Sequence, residues 1–156
     1  MYTRILIPTD FSEHSAPAVE HGVSLARELG AEVVLLHVFD RPSLLRVPAG
    51  DGALRAYLDQ AFEEADRRLQ QLVEVCDLVA CRGVSAQGSP WREILRVARD
   101  EACDLICIGS HGRGALAQLV VGGVTRKVLH HADRPVLVVR PSAGVNDPFA
   151  DDEDEG

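Results

Sequence analysis

Five short apolar runs divide the chain, and each is bounded by residues typical of turns. They lie at 4–8, 32–38, 78–84, 104–109 and 135–139. Runs of this length with little alternation of polar and apolar residues are typical of strands buried on both faces of a sheet. The third run is weaker and partly polar. The pattern therefore predicts five β-strands.

Helical periodicity separates these runs. Apolar residues recur at three- and four-residue spacing, which predicts helices over 12–29, 54–75, 90–102 and 124–131. Between them, residues 40–53 hold two prolines and two glycines and are predicted to form a loop. Strands that alternate with amphipathic helices indicate βαβ units and a parallel sheet.

Residues typical of helix ends support these boundaries. Ser12, with an acidic residue nearby, is a candidate start for the first helix, and Gly30 is a candidate stop. Ser89 stands at a cap position, and Pro90 stands in the first turn of the third helix. We therefore predict a single α/β domain without internal repeats, built on one open five-stranded parallel sheet.

Charge is concentrated at the C-terminus. The chain has 156 residues and a net charge of −8, but residues 147–156 hold six acidic residues and no basic one. Without them, 18 acidic residues face 16 basic ones. We predict a domain over 1–141 and an acidic, disordered tail over 142–156, with a solubilising tail and a docking tail as the alternatives. The anionic balance disfavours general binding of nucleic acid or of anionic membranes.

The compartment is inferred from the apolar runs and the cysteines. No run approaches the roughly 18 residues of a membrane-spanning helix, and the N-terminus lacks the pattern of a signal peptide. Four cysteines and no closed set of zinc ligands are typical of free structural thiols, with a metal or redox role as the alternative. We expect a cytoplasmic protein without a metal site of its own.

A glycine-rich segment follows the fourth apolar run. Its glycines are Gly109, Gly112, Gly114, Gly122 and Gly123. Glycines directly after a parallel strand let a ligand approach backbone amides, and nearby helix N-termini favour anions. The segment lacks the Gly-Lys-Ser/Thr of a P-loop, and it does not follow the first strand as a dinucleotide fingerprint does. It indicates either a phosphate site or tight turns without a ligand.

Two other strand ends fall at the same edge of the predicted sheet, where ligands of open α/β sheets bind. After the first strand, Asp10 could accept hydrogen bonds from ribose hydroxyls or help to hold a metal, or it could cap the helix near Ser12. After the second strand, Val38 could offer backbone groups and an apolar wall to a base. His37 beside it is more typical of a packed core histidine.

Three segments together resemble the universal stress protein family. They are the first strand with PTDFSEHS at 5–15, LLHVFD at 35–40, and IGSHGRG…VVGGVTRKVLHHADRPVLVVR at 108–140. The resemblance covers about residues 3–140. It implies a Rossmann-like fold of the adenine nucleotide alpha hydrolase type, with strand order 3-2-1-4-5 and helices on both faces. It also implies a dimeric, ATP-binding regulatory protein of the stress response.

The resemblance assigns roles to individual residues. Asp10 would contact the ribose, Val38 the adenine, and the glycines with their adjoining amides the phosphates of ATP, or of AMP or ADP, with Mg²⁺ as a companion ion. The candidate nucleotide-binding residues are Pro8, Thr9, Asp10, Val38, Ile108, Gly109, Ser110, His111, Gly112, Arg113, Gly122, Gly123, Val124 and Thr125.

The chain departs from the family pattern at Gly123, where the pattern has Ser or Thr. Loss of one hydrogen bond to a charged oxygen costs about 1.5–3 kcal/mol, or about tenfold to a hundredfold in affinity. We therefore expect weaker ATP binding, with Ser110, His111 or Thr125 as replacement donors and Arg113 as a neutralising charge. The alternative is an interaction module of the same fold that binds no nucleotide.

Catalysis has little support in the sequence. The glycine-rich segment carries no evident nucleophile and base pair, and His111 is its only candidate base. We therefore assign no catalytic residue and expect binding to be the function, with slow ATP hydrolysis as an alternative.

The last apolar run suggests a partner. An exposed edge strand made of Val136, Leu137, Val138 and Val139 would invite aggregation unless it is paired or covered. In the family this strand pairs across a two-fold axis, so the resemblance implies a homodimer. Cover by a loop or by the tail is the alternative.

Overall fold

A computed structural model of the chain describes residues 1–40, 52–77, 79–110 and 121–141. These residues form one five-stranded sheet in the order β3-β2-β1-β4-β5, and every pair of neighbouring strands is parallel. The strands are β1 (Arg4–Pro8), β2 (Glu32–Phe39), β3 (Cys81–Gln87), β4 (Leu105–Gly109) and β5 (Val136–Val139). The predicted fold class and strand order are confirmed.

Four described helices cover the two faces of the sheet. They are α1 (Ala16–Leu29), α2 (Gly52–Val75), α3 (Pro90–Asp100) and α4 (Gly123–His131). Buried side chains of α1 and α2 join one core cluster, and those of α3 and α4 join the other. The fold is therefore a three-layer α/β sandwich, which places the carboxyl ends of all five strands at one edge.

The central strand shows why near-continuous apolar runs predict this sheet. Ile5, Leu6 and Ile7 of β1 are fully buried. Because successive side chains of a strand point to opposite faces, Ile5 and Ile7 pack under α1 and α2, whereas Leu6 packs under α3 and α4. A strand with helices on both sides must be apolar at every position.

The prediction for the third strand was wrong by three residues. The apolar run at 78–84 predicted the strand there, but β3 begins at Cys81 and ends at Gln87. Its register pairs Val33 with Cys81 and Phe39 with Gln87. The backbone of β2 offers hydrogen-bond partners over this whole length, so β3 extends to Gln87. The polar half of β3 is tolerated since this strand lies at the edge of the sheet, where one side faces solvent.

Two helix ends also differ from the predictions. The first helix begins at Ala16 rather than at Ser12, because the residues before it form turns in which Thr9 and Asp10 side chains accept backbone hydrogen bonds. The third helix ends at Asp100 rather than at Ala102, whose φ of 51° is left-handed and cannot continue a helix. Ser89 and Pro90 start that helix as predicted.

Two predictions concern residues outside the described ranges. Most of the predicted loop at 40–53 and the predicted acidic tail at 142–156 lie there. Within the described residues, no helix is both long enough and apolar enough to cross a membrane.

The four cysteines carry free thiols, as predicted. Burial raises the pKa of the Cys107 thiol to about 11, and Cys107 donates a hydrogen bond to the carbonyl of Ala18. Such thiols pack in the core as small apolar groups.

Candidate functional site

A cavity of about 800 Å³ opens at the carboxyl ends of β1, β2 and β4. This is the edge where open α/β sheets bind ligands. Ten of the fourteen candidate residues line it, namely Pro8, Thr9, Asp10, Val38, Ile108, Gly109, Gly122, Gly123, Val124 and Thr125. The structure thus brings together segments that are more than 100 residues apart in sequence.

Of the other four candidates, the structure describes one. Ser110 is 1% exposed and does not line the cavity; its amide donates to the carbonyl of Val139, and its carbonyl accepts from the amide of Gly122. It therefore ties β4 and β5 to the start of α4. The remaining three candidates, His111, Gly112 and Arg113, lie outside the described residues.

The wall that follows β1 is built from side-chain turns. One carboxylate oxygen of Asp10 accepts hydrogen bonds from the amide of Ser12 at 3.0 Å and from its hydroxyl at 2.5 Å. The turn to Ser12 that the sequence left as an alternative role for Asp10 is therefore formed. It holds the carboxylate at the cavity wall, where Asp10 is half-buried.

A chain of hydroxyl groups orders the same turn. The Phe11 amide donates to Thr9 Oγ1, which contacts Ser15 Oγ at 3.1 Å, and Ser15 donates to the carbonyl of Ser12. Since the single Ser15 proton goes to Ser12, Thr9 must be the donor to Ser15. Thr9 and Ser15 are both buried, so this network has defined donors and rigidifies the turn.

Phe11 has a backbone conformation that side chains rarely adopt. Its φ is 61°, and left-handed geometry costs a residue with a Cβ roughly 1–2 kcal/mol. The Thr9 hydroxyl stabilises it through the Phe11 amide, and the Phe11 ring stacks on His37 with centroids 4.4 Å apart. Sequence reasoning missed Phe11, because a strained non-glycine residue leaves no mark in a sequence.

The last residues of β2, among them His37 and Val38, form the next wall of the cavity. His37 is 8% exposed, and its Nδ1 lies 2.9 Å from the carbonyl of Thr9. Because a carbonyl can only accept, the proton of the ring sits on Nδ1. His37 is thus the packed histidine that the sequence favoured, and half-buried Val38 presents an apolar surface to the cavity.

The wall that follows β4 is the first turn of α4. Gly122 caps this helix without a side-chain hydrogen bond, and the first amide to bond within the turn is that of Arg126 to the Gly122 carbonyl. The amides of the first turn therefore lack partners within the helix and carry its partial positive charge. Because Gly123, Val124 and Thr125 all line the cavity, this end is suited to an anion.

Two residues at this wall bear on the donors that the sequence proposed. Thr125 is 3% exposed, and its hydroxyl donates to the carbonyl of Gly109 at 2.8 Å. Its only proton is therefore used within the fold. At Gly123, a Cβ would meet none of the described residues within 4 Å, so these leave room for the hydroxyl side chain that the family pattern has there.

Helices α2 and α3 supply the part of the lining that sequence reasoning missed. Ala61, Glu64, Ala65 and Arg68 line the cavity from α2, and Pro90 and Ile94 line it from α3. The α2 residues have the i, i+3, i+4, i+7 spacing of one helix face. That spacing indicates a face but not what it faces, so only the fold places it at the strand ends.

The comparison with protein families decides the assignment. The model of the universal stress protein family matches residues 1–140. The chain belongs to this family. The five-stranded parallel sheet in the order β3-β2-β1-β4-β5 agrees with the structures of this family.

Individual members of the family are similar to the chain over nearly its whole length. Universal stress protein MJ0577 of Methanocaldococcus jannaschii is 31% identical over 155 residues, which cover 90% of the chain and 96% of that protein. Universal stress protein YxiE of Bacillus subtilis is 32% identical, with 90% and 100% covered.

Solved structures of universal stress proteins are also similar to the chain. The structure of MJ0577 matches with a TM-score of 0.79 at 34% identity and covers 92% of the chain and 99% of its own. The universal stress protein UspA from Lactobacillus plantarum matches with a TM-score of 0.80 at 28% identity and covers 89% and 98%.

Proposed function

We propose that this universal stress protein binds an adenine nucleotide, ATP in the first place, in the cavity at the strand ends. The observation that carries the proposal is the first turn of α4, whose residues Gly123, Val124 and Thr125 line the same cavity as Asp10 and Val38. Backbone amides at a helix N-terminus bind phosphate without requiring basic side chains. An acidic chain can therefore hold a polyphosphate here.

The roles in the site follow from chemistry. The amides of the α4 turn take the phosphates, the Asp10 carboxylate takes the ribose hydroxyls, and the apolar surface of Val38 takes the base. Thr125 does not donate to the phosphates, because its hydroxyl already donates a hydrogen bond to the carbonyl of Gly109. In place of the hydroxyl of the family pattern, Gly123 offers its amide alone.

Structures with the same fold support an adenine nucleotide as the ligand class. One is a universal stress protein in complex with cAMP, at 19% identity and a TM-score of 0.60. Another is the universal stress protein from Archaeoglobus fulgidus in complex with dAMP, at 21% identity and a TM-score of 0.59. At these identities the likeness is one of fold, so the choice of ATP over other adenine nucleotides is part of the proposal.

A magnesium ion would enter with the nucleotide. The described residues contain no group of three or more histidine, cysteine, aspartate or glutamate side chains that could hold a metal. Mg²⁺ is commonly held by nucleotide phosphates with one or two carboxylates. The described lining of the cavity has three carboxylates from which such a ligand would come, those of Asp10, Asp40 and Glu64.

We also propose a homodimer through β5. This strand is the outer strand of the sheet, and Val136, Leu137, Val138 and Val139 are all half-buried rather than covered. An apolar edge strand is stable against aggregation when a second copy pairs with it. Sedimentation measurements over a range of concentrations test this, with a dimer expected and a monomer at every concentration contradicting it.

The regulatory role is the last part of the proposal. Nucleotide occupancy changes the segments around the cavity, and partner proteins in the cytoplasm respond to that change. The four free thiols support a reducing compartment such as the cytoplasm.

Calorimetric titration of the full chain with ATP tests nucleotide binding. We expect saturable binding at one site per chain. The Gly109→Val variant, which fills the cavity wall at the end of β4, should lose it while its circular dichroism stays that of the native fold. No heat with the wild-type chain, or equal affinity in a folded Gly109→Val variant, would contradict the proposal.

A further inference from the structure

One face of α2 closes the cavity on the side away from α4. Ala61 and Ala65 leave space there because their side chains are short, and Glu64 and Arg68 add charged groups at the rim. Glu64 is paired with Arg67 on the outer surface of the helix. Arg68 is therefore the cation that α2 presents to the cavity.

Arg92 lies over the Trp91 ring but does not line the cavity. The guanidinium of Arg68, which does line it, lies 5.5 Å above the centre of the Phe11 ring. Within the described ranges, it has neither a hydrogen bond nor an ion pair with a carboxylate. By contrast, Arg4, Arg67 and Arg82 each pair with a glutamate. Five N–H donors of a permanent cation thus remain available at the wall of a cavity.

Phe11 holds this cation in place. Its ring lies under the Arg68 guanidinium and also stacks with the His37 imidazole, whose Nδ1 is held by the Thr9 carbonyl. The left-handed backbone of Phe11 is maintained by the buried hydroxyl of Thr9. Four residues from three elements therefore combine to fix one guanidinium at the cavity wall.

The position in the sheet indicates which part of a ligand the cation meets. Phe11 follows β1 and His37 lies near the end of β2, whereas the first turn of α4 lies beyond β4 on the other side of β1. If the phosphates of a nucleotide bind to the α4 amides, its nucleoside lies at the opposite end of the cavity, near Arg68. Since a guanidinium can only donate, its partner there is a ribose oxygen or an acceptor nitrogen of the base.

We propose that Arg68, held over Phe11, is a specificity-determining residue that donates a hydrogen bond to the nucleoside part of the bound nucleotide. This inference rests on the proposed nucleotide binding and extends it to α2. Ala61 and Ala65 leave the room in which the nucleoside lies. The pair of Arg68 and Phe11 thus forms a second recognition point, separate from the phosphate amides.

Calorimetric titration of Arg68→Met with ATP, ADP and AMP tests the proposal. Methionine keeps an apolar side chain over the Phe11 ring and removes the donors. We expect the affinity to fall by about fivefold to thirtyfold, as for the loss of one charged hydrogen bond at an exposed site, and by the same factor for all three nucleotides. The matched control is Arg55→Met, which makes the same change on the same helix outside the cavity lining and should bind like the wild type.

The outcomes separate this inference from the proposed function. Binding by the wild type together with equal binding by Arg68→Met would overturn the role of Arg68 alone. A loss that grows from AMP to ATP would overturn it as well, because the cation would then act on the phosphates. A wild-type chain that binds none of the three nucleotides would overturn both proposals.

A second variant tests the role of Phe11. Phe11→Gly suits the left-handed backbone but removes the ring that supports the guanidinium. We expect part of the Arg68→Met loss in this variant, and little further loss when the two changes are combined. Additive losses would contradict the proposal that Phe11 acts through Arg68.

Discussion

The hydroxyl of Thr125 donates a hydrogen bond to the carbonyl of Gly109 at 2.8 Å, and both residues are buried. This bond joins the last residue of β4 to the first turn of α4. It therefore fixes the distance between the strand end and the helix amides that face the cavity.

Replacing Thr125 by valine tests this connection. Thr125→Val keeps the shape of the side chain but leaves a buried carbonyl without its donor, which costs about 1–3 kcal/mol. We expect that loss in the free energy of unfolding measured with urea, together with weaker ATP binding. Thr125→Ser restores the hydroxyl and serves as the control. If valine and serine gave equal stability and equal affinity, the bond would not position α4.

Gly123→Ser tests the departure from the family pattern. A Cβ at this position meets no atom of the described residues within 4 Å, and the φ of Gly123 is not among the left-handed ones, so serine fits the described surroundings without strain. The added hydroxyl should raise the affinity for ATP by about tenfold. Gly52→Ser is the matched control, since Gly52 is equally open but lies at the start of α2 outside the cavity lining. Unchanged affinity in Gly123→Ser would mean that this position does not face the phosphates.

Asp104 should make stability depend on pH in the acid range. Burial raises the pKa of its carboxyl, but hydrogen bonds from the hydroxyl and amide of Thr3 and from the amide of Arg4 outweigh it and hold the pKa below the ordinary 3.8. A carboxyl whose pKa is lowered by folding stabilises the fold above its unfolded pKa. That contribution is lost as the pH falls below 3.8 through the folded pKa.

Unfolding of Asp104→Asn at several pH values measures this contribution. At neutral pH the variant should lose about 1–2 kcal/mol, because the amide accepts fewer of these bonds. The difference from the wild type should shrink as the pH falls below 4 and the wild-type carboxyl is protonated. Asp59→Asn, on the exposed face of α2, is the control. A gap that stayed constant with pH would show that the charge of Asp104 does not contribute.

The cysteines should react slowly in the native protein. Burial raises the pKa of Cys81 to about 12 and the pKa values of Cys103 and Cys107 to about 11. Since the thiolate is the nucleophile, these thiols are almost entirely unreactive at neutral pH. Mass spectrometry after iodoacetamide treatment should show labelling in guanidinium but little in buffer. Rapid native labelling of Cys103 or Cys107 would contradict their burial.

The limits of a strand could be predicted when both of its faces are buried, because burial then requires an apolar residue at nearly every position. β1 and β4 are apolar at nearly every position because helices cover them on both sides, so their limits could be predicted to within a residue. β3 could not, because an edge strand tolerates polar residues such as Arg82 and Ser85, and its limits follow from pairing with β2. Pairing is a property of the fold that a single strand does not reveal.

The residues of the site also fall into those that the sequence predicts and those that only the fold shows. The places of Gly109, Gly122, Gly123 and Asp10 in the cavity lining could be predicted, because strand ends and helix starts have a local chemistry. The roles of Phe11 and Arg68 could not, since one depends on a strained backbone and the other on the packing of α2 over the strand ends. Thr125 was predicted at the site but as a phosphate donor, and only the structure shows that Gly109 accepts its proton.

The most direct measurement of the central proposal is the identification of the nucleotide that the protein retains. The full chain is purified under native conditions, denatured, and its released small molecules are separated and identified by mass spectrometry, followed by titration of the emptied protein with ATP. We predict an adenine nucleotide in the released fraction and saturable rebinding of ATP. Absence of any adenine nucleotide, together with no binding at millimolar ATP, would contradict the account.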